Sequence, residues 1–528
     1  MDETALVTAL EADGFERDPD VLDTWFSSAL WPMSTMGWPY PEDFPETVGN
    51  DSDLLTTFNP TSLLSTAREI ITLWVSRMVM FNRYFLDGQV PFTDVFIHAM
   101  VQDGHGQKMS KSLGNGVDPR DIIYSHGADA MRFTLVQMTT DTQDVRMPVD
   151  MVCPHSGDSF TPEFITTKAG HLVAAPEQAS PADPSKKMAS AYGVAAGAIE
   201  PSDDAPLARN TSTKFDGARN FSNKIWNAVR FALGRLDESA TDGPSVEVGS
   251  LRFADRWVLA RLEATITALD DAIERYQFNV YADTLYDFIW HDVCDRYLEA
   301  IKPTIDDDAN QQVVLGAVLD ASLRLLHPVC PFITETLWPH VSSARVGEVR
   351  GLELPESELI ASAAWPVASG LGDGDIVTEF DRAYRLITEI RTLRSKQNVK
   401  PKQRITLHAT PPVRELAEET GGLVETLAGL EVITDDEDVP PVSSPLAFEG
   451  SQVFVSGLTD EVDLGAERER LEGVIEQKTK QVAGFNGKLS NDGYVNGAPA
   501  HLVQETRDLL ASAEADLTAA QAALDGLG

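Results

Sequence analysis

The sequence predicts a multidomain protein: an α/β doubly wound domain, an all-α bundle, a small α/β region and a C-terminal antiparallel coiled coil. Three observations carry this prediction. A β-branched strand at residues 94–101 runs into a loop rich in Gly, Lys and Ser, helical periodicity dominates residues 214–342, and two heptad-patterned segments lie at the C-terminal end. With 528 residues the chain has room for about three or four domains.

The charge balance is strongly acidic. There are 82 acidic and 42 basic residues, a net charge of -40, and only 14 of the basic residues are lysines. An enzyme that acts on nucleic acid is expected to be basic, because phosphate contacts need cations. Dispersed acidity with little lysine is typical of a halophile's surface, where salt screens like charges. We therefore expect a halophilic source and take local basic clusters, rather than net charge, as the guide to partners.

Cysteine content and hydropathy predict a cytoplasmic protein. The three cysteines are far apart and odd in number, so a disulfide framework is not expected. No apolar run approaches the roughly 20 residues that cross a bilayer, and the acidic N-terminus lacks a signal-peptide pattern. Cys153 and His155 have no further ligand nearby at metal-binding spacing, so we predict no protein-bound metal.

Residues 1–150 contain the elements of the α/β domain. An apolar and aromatic stretch at 20–32 comes first, and residues 68–80 then place four apolar side chains on one helical face: Ile71, Trp74, Val75 and Met78. The run at 94–101 is typical of a buried strand. Ligands of a doubly wound sheet bind beyond the carboxyl ends of its strands, so we expect the site in the loop that follows.

That loop is the ten-residue string Gly-Gln-Lys-Met-Ser-Lys-Ser-Leu-Gly-Asn, residues 106–115. Lys108 and Lys111 provide ammonium groups on flexible stems, and Ser110 and Ser112 provide hydroxyl donors. Such a loop can close over phosphate oxygens and stabilise the charge that develops on a pyrophosphate leaving group. An exposed basic turn is the usual interpretation of a lone Lys-Ser-Lys, but the whole string favours a phosphate site.

Residues 151–213 differ in composition from the rest. They are rich in Ala, Pro, Ser, Gly and Asp, which predicts an acidic low-complexity insertion, loosely ordered and facing solvent.

The remaining chain divides into three predicted regions. Periodic helices at about 255–275, 278–302 and 311–327 indicate a bundle, and Pro328 and Pro331 break one helix and start the next. The predicted domains are therefore residues 1–150, 151–213, 214–370, 371–460 and 461–528.

Basic residues concentrate at the end of a predicted helix, residues 376–396, and just after it. Arg391, Arg394, Lys400 and Lys402 form the densest basic cluster in the chain. In an acidic protein such a cluster favours contact with an RNA backbone, and a solvated helix face is the alternative.

The C-terminal segment carries two heptad patterns separated by Asn491-Asp492-Gly493. A pair of such helices joined by a short turn predicts an antiparallel coiled-coil hairpin. The positions that would face the partner helix are Leu471, Ile475, Lys478, Val482, Phe485 and Leu489, then Leu510, Ala513, Leu517, Ala520 and Leu524.

Taken in order, these motifs resemble valyl-tRNA synthetases, a group of class I aminoacyl-tRNA synthetases. The loop matches the KMSKS signature in full, and the stretch around Trp25 resembles the return from the editing domain into the catalytic fold. The segment from Lys488 to Arg507 resembles a C-terminal tRNA-binding arm that leucyl and isoleucyl enzymes lack. The resemblance covers about residues 16–150 and 214–526, so the first domain would be the second half of the class I Rossmann fold.

The resemblance implies ATP-dependent attachment of valine to its tRNA through valyl-adenylate. It assigns catalysis to Lys108 and Lys111, and ATP binding to these lysines together with Ser110, Ser112 and His98, although Ala99 stands where the family usually has glycine. Mg²⁺ would arrive with ATP rather than in a protein cage. The implied amino-acid pocket contains Trp25 and Ile70. The expected tRNA contacts are Arg219, Lys224, Arg391, Arg394, Lys400, Lys402, Lys488 and Arg507.

One departure from the family affects the expected function. No His-x-Gly-His string occurs anywhere, and nothing before residue 16 resembles the first half of the nucleotide fold or the editing domain. We therefore expect the C-terminal part of a synthetase from a halophilic archaeon: a truncation, a split-gene product needing a separate N-terminal half, or a degenerate copy. The alternative function is a tRNA-binding module without synthetic activity.

Overall fold

The computed structural model describes residues 3–16, 18–40, 54–140, 144–236, 243–372, 374–437, 439–458 and 464–526. The chain forms two compact units. The first contains Met1–Ser125, Leu135–Lys214 and Ile273–Asn279, and the second contains His126–Thr134, Phe215–Ala272 and Val280–Gly528. None of the helices in the described ranges combines the length and the apolar character that a bilayer crossing requires.

The N-terminal part of the chain alternates helices with short parallel strand pairs. Its elements are α1 (Glu3–Ala12), α2 (Thr24–Ala29), α3 (Trp31–Ser34), α4 (Leu54–Phe58), β1 (Thr61–Ala67), α5 (Ser76–Phe85), β2 (Phe92–His98), β3 (Val101–Asp103), α6 (Pro119–His126), α7 (Ala128–Gln137) and β4 (Val145–Met147). Strands β1 and β2 pair in parallel, as do β3 and β4. Since parallel strands need a crossover, α5 serves as the connection between β1 and β2.

Two sequence predictions in this region need correction. The expected helix at 68–80 is a 3-10 turn at Arg68–Ile70 and a π-helical turn at Ile71–Val75, followed by α5. These changes of pitch break the regular spacing, so Val75 and Met78 are buried whereas Ile71 is 41% exposed. Strand β2 is only half-buried, with Val95 41% exposed, because β1 is its only partner strand in the described part of the chain.

Residues 150–211 form a folded unit that we call the hairpin module. It contains β5 (Asp150–Val152), β6 (Ser159–Phe160), β7 (Phe164–Thr166), β8 (Leu172–Ala174), β9 (Glu177–Ala179), β10 (Lys187–Ala189), α8 (Ala191–Ala195) and β11 (Arg209–Thr211). Its strands pair antiparallel as β11-β5-β6, β7-β8 and β9-β10.

The hairpin module has its own small core, so the expectation of a loosely ordered insertion is wrong. Met151, Cys153, Met188 and Ala208 are buried together. Strands of two or three residues are too short to produce a visible hydrophobic period, which is why composition suggested disorder. Burial would raise the pKa of the Cys153 thiol, but hydrogen bonds from Ser180, Ser156 and the backbone N–H groups of His155 and Ser156 lower it to about 7.

Long helices dominate the next part of the chain. They are α9 (Lys214–Leu233), α10 (Phe253–Glu274), α11 (Phe278–Tyr286, continued by a π-helical stretch at Asp287–Tyr297), α12 (Leu298–Ile301), α13 (Ala309–Leu326) and α14 (Pro331–Ala344). The predicted boundaries agree with these to within a few residues. Nearly every side chain of α13 is buried, including Asp320 and Arg324, which pair with each other. Such all-round burial marks α13 as the central helix of this part.

Short strands and a mixed sheet also belong to the second unit. The two-residue strands are β12 (Ser245–Val246), β13 (Glu348–Val349), β14 (Leu352–Glu353) and β15 (Val367–Ala368). They are followed by α15 (Gly374–Lys396), β16 (Ile405–His408), α16 (Pro411–Glu419), α17 (Leu423–Ala428), β17 (Leu430–Thr434), β18 (Ser443–Phe448) and β19 (Ser451–Ser456). The last four strands form one sheet in the order β17-β16-β19-β18.

The C-terminal part consists of helices α18 (Leu464–Leu489), α19 (Asp492–Gly497) and α20 (Ala500–Gly526). Helices α18 and α20 contact each other, and the ammonium group of Lys478 pairs with the carboxylate of Asp516 between them. Of the expected heptad positions, Leu471, Ala513 and Ala520 are buried. The coiled-coil interpretation of this helix pair stays a prediction.

Candidate active site

The carboxyl ends of β1 and β2 lie side by side, because Ala67 pairs with His98 in the parallel register. Arg68, Glu69 and Ile70 follow β1 directly, and the chain after β2 leads through β3 into the loop at 104–116. This is the edge at which open α/β sheets bind ligands. The structure therefore brings Ile70, His98 and the lysine-containing loop to one edge of the first unit.

Asp103 organises the base of the loop. Its side chain is buried and accepts hydrogen bonds from the N–H groups of His105 (3.0 Å) and Gln107 (2.9 Å) and from the side chains of Gln107 and Asn115 (both 2.8 Å). Burial by itself would raise the pKa of this carboxyl, but the hydrogen bonds, with that of Asn115 the largest, hold the pKa below its usual range. Asp103 is thus an ionised buried group that ties both ends of the loop to one point.

Asn115 links that point to the serines. Its Oδ1 accepts from the N–H of Ser110 at 2.9 Å, and its Nδ2 donates to Asp103 and to the carbonyl of Lys108 at 3.3 Å. The hydroxyls of Ser110 and Ser112 are 3.1 Å apart, and Ser110 Oγ also accepts from the N–H of Leu113. The base of the loop is therefore held by its own polar groups.

The two lysines differ in their surroundings. Lys108 Nζ lies 2.5 Å from Glu69 Oε2, with 67% and 43% of the two side chains exposed. The side chain of Lys111 is exposed at the tip of the loop. One lysine is therefore paired with the segment that follows β1, and the other is directed toward solvent.

The two expected amino-acid pocket residues lie on different elements, Ile70 in the turn after β1 and Trp25 on α2. Trp25 is half-buried on α2, which begins with Asp23 capping the N–H of Trp25 at 2.7 Å. Helix α2 contacts the π-helical turn through Trp74 Nε1, which donates to the carbonyl of Ser28 at 3.1 Å. Ile70 and His98 are also half-buried, and His98 Nδ1 is 3.0 Å from the carbonyl of Ala99.

A cavity of about 260 Å³ lies between the loop and the hairpin module. The loop contributes Asp103, His105 and Asn115, and the module contributes a mostly apolar wall that includes Met151 and Phe164. Among the described residues, no group of three or more His, Cys, Asp and Glu side chains is arranged to hold a metal ion.

The expected tRNA-contacting residues on α9, α18 and α20 are at the surface. Arg219 pairs with Asp216 at 3.3 Å and is 45% exposed. Lys224 is half-buried, with its Nζ 2.5 Å from Asp295 and 3.8 Å from the centre of the Trp290 ring. Lys488 and Arg507 are exposed.

The basic cluster at the end of α15 needs one correction. Arg394 is buried, and its guanidinium donates to the carbonyls of Gly429, Lys400 and Gln403 at 2.9–3.3 Å. Because these bonds occupy the buried guanidinium, the prediction that Arg394 contacts RNA is wrong; its role is to hold the 400–403 turn. Arg391 donates to the carbonyl of Leu427 but stays exposed, as do the side chains of Lys400 and Lys402.

Sequence reasoning missed three residues that shape the site: Asp103, Glu69 and Asn210. Glu69 and Asp103 lie immediately after or at the end of strands, so their position at the ligand-binding edge was the signal that could have revealed them. Asn210 lies almost a hundred residues beyond the loop, inside the segment expected to be disordered, and no local pattern reveals it.

Three family models match the chain in succession. The model for tRNA synthetases class I (I, L, M and V) matches residues 2–148, the model for the anticodon-binding domain of tRNA ligase matches 255–409, and the model for the valyl tRNA synthetase tRNA binding arm matches 463–528. The first match contains the loop and the edge of the sheet described above.

Valine–tRNA ligases of several organisms are similar to nearly the whole chain. That of Rhodopirellula baltica is 39% identical over 521 residues, that of Thermotoga maritima 34% over 498, and that of Streptomyces coelicolor 33% over 519. These alignments cover 97%, 94% and 98% of this chain but only 48%, 47% and 49% of the relatives. The chain therefore spans about half the length of the curated relatives it matches.

The comparisons give no support to the expected halophilic archaeal source, which rests on the acidic composition alone. The three family matches do agree with the predicted signature loop, helical region and C-terminal helices, both in the type of each region and in their order along the chain. The chain is thus similar over nearly its whole length to valine–tRNA ligases, and its residues 2–148 match the class I tRNA synthetases.

Proposed function

We propose that this chain carries the loop and part of the substrate pocket for ATP-dependent attachment of valine to its tRNA. The observation that supports this most directly is the position of Lys108 and Lys111, in a loop anchored at the carboxyl ends of parallel strands. A module that only bound tRNA would have no use for an ordered phosphate loop in this place. ATP, valine and a valine tRNA are the substrates, and the cytoplasm is the compartment.

In the activation step a carboxylate oxygen of valine attacks the α-phosphorus of ATP. The bond between the α-phosphorus and the bridging oxygen breaks, valyl-adenylate forms, and pyrophosphate leaves with the negative charge. Lys111 and Lys108, with the Ser110 and Ser112 hydroxyls, stabilise that charge as it develops. A hydroxyl of the terminal tRNA ribose then attacks the adenylate carbonyl and releases AMP, so no covalent enzyme intermediate is needed. Mg²⁺ enters as part of the ATP substrate.

Lys108 can exchange its partner during this cycle. Its ion pair with Glu69 is solvent-exposed, and exposed pairs contribute only about 0–1 kcal/mol. The triphosphate offers more negative charge than one carboxylate, so we propose that Lys108 leaves Glu69 when ATP binds. We also propose that His98, at the end of β2, approaches the nucleotide.

Trp25 and Ile70 are proposed to wall the valine side chain. Ile70 lies in the turn that follows β1, Trp25 lies on α2, and both are half-buried. An apolar pocket separates substrates differing by one methylene by about 1–3 kcal/mol, a range for which isoleucyl and valyl synthetases are themselves the standard examples. Such a pocket rejects threonine poorly, so valine specificity would also depend on an editing site outside the matched region.

Among the described residues, apolar side chains on β2 and on the crossover between β1 and β2 are exposed. Leu73, Met80, Tyr84 and Val95 are all at least 40% exposed around the β1–β2 pair. Parallel strands are normally covered on both faces. We propose that a polypeptide corresponding to the remaining half of the relatives covers this surface, as a preceding segment or as a separate N-terminal half.

Transfer RNA would contact a surface built from several regions of the chain. The proposed contacts are Arg219, Lys224, Arg391, Lys400, Lys402, Lys488 and Arg507. Lys224 lies over the Trp290 ring, a cation–aromatic pair of the kind that RNA-binding surfaces use for backbone charge and base stacking.

The test is valine-dependent exchange between pyrophosphate and ATP, with the chain alone and with the remaining half supplied. We expect exchange with both halves, and a loss of about 100-fold or more for Lys111→Ala, since removing one transition-state donor has an effect of this size. Binding of valine tRNA should be nearly unchanged. Lys168→Ala is the charge-matched control, because Lys168 is an exposed lysine in the turn between β7 and β8 and does not belong to residues 106–115.

Full exchange in Lys111→Ala would contradict the assigned role of this lysine. No exchange under any condition, together with specific binding of valine tRNA, would favour the alternative function of a tRNA-binding module.

A further inference from the structure

The hairpin module holds the loop at its N-terminal end through Gln107. The Gln107 side chain donates from Nε2 to the carbonyl of Leu172 at 2.7 Å and accepts at Oε1 from the Leu172 N–H at 2.8 Å. The amide thus pairs with one residue of β8 as a neighbouring strand would. The same Nε2 also donates to Asp103, which connects this attachment to the base of the loop.

The module also holds the loop at its C-terminal end, through Asn210. Its Nδ2 donates to the carbonyls of Gly114 at 2.9 Å and Gly116 at 2.7 Å. Asn210 lies on β11, where it pairs with Met151 of β5, so its backbone is fixed by the sheet of the module. Both protons of one side-chain amide are therefore used on the loop backbone.

Gly114 shows how closely the module approaches. Its φ is +59°, a left-handed conformation that suits glycine, and a Cβ atom built on it would lie 2.1 Å from the backbone nitrogen of Tyr192 in α8. The backbone of the module therefore occupies the space in which a side chain at position 114 would stand. No other residue fits there without displacing α8.

Gln107 and Asn210 attach the loop to the module on either side of its tip. Only residues 108–113 therefore lie between the two attachments. That segment contains both lysines and both serines proposed to meet the triphosphate. A loop that closes over a substrate moves relative to its fixed ends. Holding a mobile segment in one conformation costs less conformational entropy when its two ends are already held. The module lies in the same unit as the loop, so the attachments act within one compact body.

We propose that the hairpin module is a positioning element for the loop, in which Gln107 and Asn210 fix the two ends and confine closure to residues 108–113. None of the module residues touches the reacting atoms; they act through Lys108 and Lys111. The consequence for ATP rests on the proposed function, whereas the restraint on the loop does not.

The kinetic consequence follows from the fraction of molecules whose loop is in the conformation that binds ATP. If the attachment is loosened, the conformation that binds the triphosphate is a smaller fraction of the total, and the apparent affinity for ATP falls by that fraction. Losing the two Asn210 hydrogen bonds is expected to raise KM for ATP about three- to tenfold. KM for valine should stay the same, because the described hydrogen bonds join the module to the loop and none of them involves Trp25 or Ile70.

The decisive variant is Asn210→Ala, and the chain offers a matched control in Gln178→Ala. The Gln178 side chain accepts from the N–H of Glu163 at 3.0 Å and donates to its carbonyl at 2.9 Å, a backbone clamp of the same kind that lies inside the module. Both variants remove side-chain amide bonds to backbone, but only Asn210→Ala removes bonds to the loop. Protection of Cys153 from alkylation reports whether the module stays folded, because that thiol is buried in its core.

The experiment has two readouts on these variants. The first is millisecond hydrogen–deuterium exchange of residues 108–116, with the rate of tryptic cleavage after Lys108 and Lys111, measured on the 528-residue chain. The second is the KM for ATP and for valine in pyrophosphate exchange by the assembled enzyme. Asn210→Ala should increase loop exchange and cleavage and raise KM for ATP alone, while Gln178→Ala should match the wild type in both.

Unchanged loop exchange in Asn210→Ala with Cys153 still protected would overturn the proposal. The same effect in Gln178→Ala and Asn210→Ala, with Cys153 protected in both, would also overturn it. An assembled wild-type enzyme that catalyses no pyrophosphate exchange, together with a loop that loosens in Asn210→Ala only, would refute the proposed function and support the positioning role.

Discussion

Two buried aspartates, one in each compact unit, respond to burial in opposite ways. Asp103 at the base of the loop and Asp255 on α10 are 3% and 1% exposed. The pKa of Asp103 is held below its usual range, whereas burial raises the pKa of Asp255 to about 6. Burial alone therefore does not decide whether a carboxylate stays charged.

The two carboxylates differ in how deeply they are desolvated and in the donors that face them. Asp103 lines the cavity beside the hairpin module, is less deeply desolvated than Asp255, and accepts two backbone N–H groups and two side-chain amides. Asp255 is deeply desolvated, accepts the hydroxyl of Tyr297 at 2.7 Å and one amide nitrogen of Gln311 at 3.1–3.2 Å, and has no backbone donor among the described contacts. Four donors more than offset the shallower desolvation of Asp103, whereas two side-chain donors do not offset the deeper desolvation of Asp255.

The two aspartates show how differently this molecule uses buried carboxylates. At the loop base an ionised group fixes the geometry of the proposed phosphate site a few residues away. In the second unit the charged form of Asp255 lowers the stability of the fold at neutral pH. Replacing either group by its uncharged isostere tests the contrast.

The largest effect is expected for Asp103→Asn. An asparagine keeps the size but turns one acceptor into a donor that faces Gln107 or Asn115, so donors of the loop base lose their partner. We expect a loss of about 2–3 kcal/mol in the stability of the first unit and at least a tenfold loss of pyrophosphate exchange. Thermal unfolding and exchange kinetics measure the two effects.

The effect of Asp103→Asn should also depend on pH. Because the folded-state pKa of Asp103 lies below the unfolded value, its stabilisation is present above the unfolded pKa and is lost as pH falls through the folded pKa, in the acid range below 3.8. Asp103→Asn should flatten the stability curve of the first unit in that range. An unchanged curve would show that the loop base does not depend on an ionised carboxylate.

Asp255→Asn is expected to have a smaller effect of the opposite sign. The folded pKa of about 6 exceeds the ordinary value of 3.8, so the stabilising contribution of this group is present below the unfolded pKa and is lost as pH rises through 6. Above pH 6 the native state therefore carries an unfavourable contribution of about 3 kcal/mol, which asparagine removes.

Chemical denaturation between pH 4 and pH 8 measures this difference. The variant should be more stable than the wild type at pH 8 by about 1–3 kcal/mol and nearly equal to it at pH 4. Tyr297→Phe is the control in the other direction. It removes the hydroxyl that donates to the Asp255 carboxylate, so the protein should be less stable than the wild type at pH 8. A loss of stability in Asp255→Asn at both pH values would refute the assignment.

The smallest effect is expected for Glu69→Gln, a carboxylate outside both buried sites. Its pair with Lys108 is exposed, so stability should change by less than about 0.5 kcal/mol. If Lys108 leaves Glu69 to meet ATP, KM for ATP should stay the same or fall slightly. A marked rise in KM for ATP would show instead that Glu69 positions Lys108 in the reactive state.

The loop and the helical region could be predicted closely from the sequence. The string at 106–115 is recognisable locally, and the long helices have enough turns for their apolar period to be clear, so α10 and α13 begin and end within a few residues of expectation. The position of strand β2 was predictable too, but its exposure depended on how many partner strands it has. The hairpin module was missed, because its strands of two or three residues carry no period.

The sequence by itself determined the family resemblance, the position of the loop and the order of the regions, since all three depend on strings of neighbouring residues. Only the tertiary structure decided which residues fix that loop and which basic residues remain at the surface. Asn210 reaches Gly114 across a separation of 96 residues, and Arg394 turns away from solvent to bind three carbonyls. The physical reason is that hydrogen-bond partners are chosen by distance in space, and the chemical type of a residue does not reveal its neighbours before the chain is folded.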